Sequence, residues 1–120
     1  MFKAIFYTTK SGQSYVEDFL MEQDIKTRAK IARSISELET LGFQLHRPKA
    51  AKIEDGIYEM RVEFSPNNFR ILYYFCIKNK IVLLSAFKKK RNDLDRNDIE
   101  TAKARRNDFN NRIQKGEIIL

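Results

Sequence analysis

The sequence predicts one α+β domain spanning residues 1–120, in which an antiparallel sheet of about four to five strands carries two N-terminal helices and one C-terminal helix. Three observations predict it. Apolar residues recur at spacings of three and four before residue 42 and after residue 95. Between them Tyr58, Met60, Val62 and Phe64 alternate with Glu59, Arg61 and Glu63, a period of two. Two further apolar runs, Phe69 to Ile77 and Ile81 to Phe87, are separated only by Lys78-Asn79.

Each element can be justified in order. Phe2 to Tyr7 is aromatic and β-branched enough for a short strand, closed by Ser11-Gly12. Ser14 with Glu17 has the form of a capping box and opens a helix through Val16, Phe19 and Leu20. Asp24 then caps a second helix, whose stripe of Ile25, Ala29, Ala32, Ile35, Leu38 and Leu41 is expected to face the core and which stops at Gly42. A meander of three or four strands follows, with Ser65-Pro66-Asn67-Asn68 as a four-residue turn. Asp95 caps the last helix from about Arg96; Ile99, Ala102, Phe109 and Ile113 lie on one side, and Lys103, Arg105, Arg106 and Arg112 on the others.

Composition excludes several function classes. At 42% hydrophobic and 32% charged residues, the chain is too apolar for disorder and too polar for a membrane protein. It lacks an apolar run of about 20 residues, and its opening is charged where a signal peptide is apolar, so a cytoplasmic location is expected. One cysteine, Cys76, and one histidine, His46, make neither a disulfide nor a metal site by themselves. Cys76 reads as a small hydrophobe within a strand, and His46 as a solvated loop residue. The net charge of +7 is concentrated between Lys78 and Lys115, leaving the other residues neutral in sum. Such a sector suits RNA, DNA, the ribosome or an acidic protein, and is equally the mark of a solvated basic helix.

Strand parity narrows the search for a site. If Phe64 pairs with Phe69 across the four-residue turn, Arg70 faces Glu63, and Arg61 and Arg70 become diagonal neighbours about 7 Å apart. If Ile77 pairs with Lys80, Arg70 lies across from Phe87. A strand two residues longer then puts Lys89 on the same face. Three cations converging on one sheet face suit a phosphate, because like charges so placed repel until an anion joins them. Glu59 and Glu63 share that face and leave a second reading open, a ladder of salt bridges. Tyr74 shares it too and could stack on a base or pack in the core. Lys88, Lys90 and Arg91 extend the basic cluster for phosphate contacts.

Asp55-Gly56-Ile57-Tyr58-Glu59-Met60-Arg61, Phe69-Arg70-Ile71-Leu72-Tyr73-Tyr74-Phe75, the run from Leu83 to Lys90 and Ile99 to Ala102 occur together and in that order. Over about residues 50 to 105 the chain resembles the phage-related, HigB-type branch of the RelE/ParE toxin superfamily. The resemblance implies a RelE/ParE-like fold and a toxin of a type II toxin-antitoxin pair. Its activity would be metal-independent endoribonuclease cleavage of mRNA on the ribosome, with no cofactor, restrained by a protein antitoxin that carries a helix-turn-helix domain. It places the family's functional cations on Arg61, Arg70 and Lys89, with Lys88 as a substitute for the last. Arg91-Asn92-Asp93-Leu94-Asp95 departs from the family's usual continuation. A ParE-like gyrase inhibitor and a non-catalytic nucleic-acid-binding phage module are the alternatives.

Overall fold

A computed structural model describes residues 1–89 and 94–120. The order is β1 (Lys3–Phe6), α1 (Tyr15–Met21), α2 (Ile25–Leu41), a short 3-10 turn (Gly42–Gln44), β2 (Ala50–Glu54), β3 (Ile57–Phe64), β4 (Asn67–Phe75), β5 (Lys80–Lys89) and α3 (Arg96–Gln114). The strands form one five-stranded sheet in the spatial order β1-β5-β4-β3-β2. One core, built on Val16, Ile31, Leu38, Met60, Val62, Phe69, Ile71, Tyr73, Ile81 and Leu83, joins α1 and α2 to one face. A second, built on Ile57, Leu72, Tyr74, Val82, Leu84, Ala102 and Phe109, joins α3 to the other.

The sheet is mixed, which corrects the expected antiparallel one. β2 to β5 are antiparallel neighbours, but β1 lies parallel to β5, with Lys3 beside Lys80 and Phe6 beside Leu83. The two helices carry the chain to the far edge, and the meander walks back until β5 meets β1. No local pattern encodes the relative direction of strands so far apart in sequence. The end of α2 protects the outer edge of β1, since Glu39 accepts from the backbone N–H of Phe2 through its carbonyl at 2.9 Å and from that of Ala4 through its carboxylate at 2.8 Å. Gly42, at φ 52°, permits this approach: a Cβ there would stand 2.1 Å from the Phe2 ring.

The helix caps agree with the sequence reading. Ser14, Asp24 and Asp95 accept from the N–H groups of Glu17, Thr27 and Asn97 at 3.4, 2.7 and 3.1 Å. The phase of α2 does not. Its buried residues are Thr27, Ile31 and Leu38, whereas Ile25, Ala29 and Ala32 are exposed. Small alanines fit either side of a helix, and Ile31, which lies just off the stripe that runs from Ile25 to Leu41, decides which side is buried. In α3 the apolar side holds, but Arg112 is buried rather than solvated, and donates to the carbonyl of Thr8 and to Asp108.

Strand boundaries also shift. β4 starts at Asn67, so Ser65-Pro66 alone makes the turn and Phe64 pairs with Asn67. β2 was not resolved as a separate strand by its sequence. Asp55 and Gly56, at φ 50° and 77°, turn it into β3. Between β4 and β5 the register follows the expected one as far as Leu72 with Ser85, where an irregularity shifts the pairing by one.

Candidate phosphate-binding site

The two-residue turn moves the β3–β4 register by two, which preserves parity and changes neighbours. Arg61 stands directly opposite Arg70 and not diagonal to it; Glu63 faces Asn68. The N–H of Arg61 points away from β4, to the carbonyl of Lys49 at 2.7 Å. The two arginines are therefore a non-hydrogen-bonded pair, the arrangement with the closest Cα atoms, about 4.5 Å. Across β4, Arg70 faces Phe87 and Asn68 faces Lys89, which makes Lys89 diagonal to Arg70 on the same face. Arg61, Arg70 and Lys89 thus occupy one face of three adjacent strands.

Glu59 reconciles the opposed cations. It sits two residues before Arg61 on β3 and diagonal to Arg70, facing Leu72. Its Oε1 accepts from Nε of Arg61 at 2.8 Å, and its Oε2 lies 3.1 Å from Nε of Arg70. The second contact is charge against charge without the alignment of a hydrogen bond, and both of its atoms are buried. Glu59 is 2% exposed and Arg70 7%, so these two form a buried pair that the half-buried Arg61 joins, and not a surface ladder. The salt-bridge reading of this face holds in part. Glu59 is salt-bridged, Glu63 has no such partner among the described residues, and the cations still outnumber the carboxylate that joins them.

The contacts at Nε leave the far end of the Arg61 fork and one terminal nitrogen of Arg70 without a partner among the described residues. Nη1 of Arg70 donates to the carbonyl of Phe69 at 3.2 Å, while Nη2 of Arg70 and both Nη atoms of Arg61 make no hydrogen bond among the described residues. Arg61, at 28% side-chain exposure, is the more accessible of the two. Arg61 also lines a groove of about 450 Å³ against α2, with Lys30, Arg33, Glu37, Lys49 and Glu63 on its walls.

Other sequence-based candidates separate. Lys88 is exposed but pairs with Phe69 and so faces the α1–α2 side, which removes it as a substitute for Lys89. Tyr74 is 5% exposed beneath α3, its hydroxyl donating to Asn110 at 2.7 Å; it cannot stack on a base, because α3 occupies the space a base would need. Lys90 and Arg91 lie outside the described residues. Much of the basic charge of α3 is engaged internally: Arg96 and Lys103 with Glu54, Arg106 with Asp55, and Arg105 with the Leu84 carbonyl, Ser85 and the Tyr15 ring. The sequence reading missed Asn68, which shares the face of Arg70 opposite Lys89. Only the shorter turn, once known, brings it there.

Comparison with known proteins adds the lineage. No curated protein matches the chain. The family described as Phage derived protein Gp49-like (DUF891) matches residues 18–107, which include α2, the whole β2–β5 meander and most of α3. With three quarters of its length in that match and the meander carrying Arg61 and Arg70 inside it, the chain belongs to the Gp49-like family of phage-derived proteins, a family related to the RelE/ParE toxins.

Proposed function

We propose that this protein is a HigB-type toxin of a toxin-antitoxin pair, acting in the cytoplasm as an endoribonuclease on ribosome-bound mRNA. The observation that carries the reading is the directly opposed pair Arg61 and Arg70, with Lys89 diagonal on the third strand. The paired Nη atoms of Arg61 suit a planar, bidentate grip on phosphate oxygens, and Nη2 of Arg70 with the Lys89 ammonium adds donors that match the charge building on a phosphorus under attack. In the reaction the RNA supplies its own nucleophile. The 2′-hydroxyl gives its proton to solvent water and bonds to the adjacent phosphorus, the bond to the 5′-oxygen breaks, and that oxygen takes up a proton, giving a 2′,3′-cyclic phosphate and a 5′-hydroxyl. Arg61 and Arg70 stabilise the phosphorane charge, and Lys89 protonates or neutralises the leaving oxygen. Lys88, Lys90 and Arg91 contact the ribosomal or messenger backbone, and a helix-turn-helix antitoxin with an acidic segment restrains the toxin by covering the basic face.

Induced expression without a partner, followed by mapping of transcript ends, tests this reading. New 5′-hydroxyl ends inside open reading frames are expected, with translation arrested. Intact mRNA with collapsed plasmid supercoiling would replace it with gyrase inhibition. Intact mRNA and normal supercoiling would leave a binding module.

A further inference from the structure

Building on the cleavage reading, we propose that Glu59 is a positioning residue that sets Arg61 and Arg70 side by side as one phosphate clamp. Two arginines directly opposed on adjacent strands repel each other and, with their long stems, would splay apart. One buried carboxylate between them reverses that, because its two oxygens meet the two Nε atoms, at 2.8 Å for Arg61 and 3.1 Å for Arg70. The hydrogen bond at Nε fixes the plane of the Arg61 guanidinium, and the bond from Nη1 to the Phe69 carbonyl together with the charge contact at Nε holds that of Arg70, while Nη2 of Arg70 and both Nη atoms of Arg61 are left without a hydrogen bond among the described residues. The triad keeps a net single positive charge from these three groups, to which Lys89 adds another.

Burial makes the arrangement specific. At 2% exposure Glu59 has no room to swing to solvent and reaches both cations from one rotamer. An anion arriving at the face therefore meets forks already aimed, and little reorganisation is left for the reaction itself.

The test compares wild type with Glu59→Gln, which keeps size but loses the charge, and Glu59→Asp, which keeps charge but shortens the reach. Three measurements are made on each: the Nε–H signals of Arg61 and Arg70 by nitrogen-15 NMR, the affinity for ribosomes programmed with mRNA, and the cleavage rate at saturating ribosome. In wild type the Nε–H of Arg61 is expected to be protected by its hydrogen bond to Glu59 and that of Arg70 by burial, and in Glu59→Gln, which keeps a single acceptor oxygen and no charge, both signals should shift and at least one should lose protection. The cleavage rate at saturation should fall by about tenfold to a hundredfold, the usual loss when a reacting group is misplaced by about an ångström. Ribosome affinity should stay equal or rise, since the variant is more positive. A purely structural role would lower the folded fraction without splitting rate from affinity. Should Glu59→Gln fail to fold, Glu59→Asp carries the comparison, with the same loss of rate at unchanged affinity expected. Unmoved Nε–H signals, or a folded variant cleaving at the wild-type rate, would overturn the proposal. If wild type itself leaves ribosome-bound mRNA uncut, the cleavage reading falls, and the Nε–H signals still decide whether Glu59 positions the pair.

Discussion

Removing the Arg70 side chain would leave Glu59, 2% exposed, with one cation where it now has two. Arg70 is itself 7% exposed and closes on Glu59 from the neighbouring strand, so it carries structural weight beside any role in binding. Losing one partner of a buried ion pair typically costs 3–5 kcal/mol; with Arg61 still attached to Glu59, the low end, about 3 kcal/mol, is expected for Arg70→Ala. That variant should both melt earlier and lose cleavage, so its inactivity alone is not diagnostic. Lys89→Ala separates the two effects. Lys89 is partly exposed at the end of β5, and substitution there should change stability by less than about 0.5 kcal/mol while cleavage falls on the order of a hundredfold. Thermal melts beside cleavage assays check both, and a Lys89→Ala variant with full activity would remove Lys89 from the mechanism.

The third helix packs on the sheet through Ala102 and Phe109 and meets the end of β2 and the β2–β3 turn through ion pairs. Glu54 accepts from Arg96 at 2.8 and 2.5 Å and from Lys103, and Asp55 accepts from Arg106 at 2.9 Å. Hydrogen bonds from Arg96 and Lys103 hold the Glu54 carboxyl down at about 2, from an ordinary 4.5, and the Arg106 bond holds Asp55 low as well. A carboxyl depressed by folding contributes stability above its unfolded value and loses it as pH falls through the folded one. The Glu54 contribution should therefore be complete above about pH 4.5 and gone near pH 2. Melting curves of wild type and Glu54→Gln should differ at neutral pH and converge as acid protonates Glu54. A difference independent of pH would mean that this clasp adds nothing through its charge. α3 packs on the sheet face that also carries Arg61, Arg70 and Lys89, and there it covers Tyr74.

Over the whole molecule, the excess of positive charge in the last third divides into two populations. Arg96, Lys103, Arg106 and Arg112 are tied to carboxylates of the same chain. Lys88 and Lys89 have no such partner among the described residues, and they extend β5 beyond the last β1 pairing at Leu83. Affinity for single-stranded RNA should therefore depend on salt through fewer contacts than the net charge of +7 suggests. Each phosphate contact adds about 0.7 to the magnitude of the slope of log affinity against log salt. Lys89→Ala should lower that magnitude by about 0.7 and Lys103→Ala should leave it unchanged; equal losses would show that the α3 cations also meet RNA.

Local chemistry determined the elements and the face. Side-chain alternation fixes which residues of a strand look the same way, and caps at Ser14, Asp24 and Asp95 fix where helices begin, so Arg61, Arg70 and Lys89 were placed on one face from the residues alone. A register error of two residues left this intact because it preserves parity. What tertiary structure decided was proximity and burial. The parallel placement of β1, the inward turn of Ile31, the cover over Tyr74 and the closure of Glu59 between two arginines all depend on contacts between segments distant in sequence. Periodicity carries the direction of a side chain relative to its own backbone, and nothing of which other segment will fill the space in front of it.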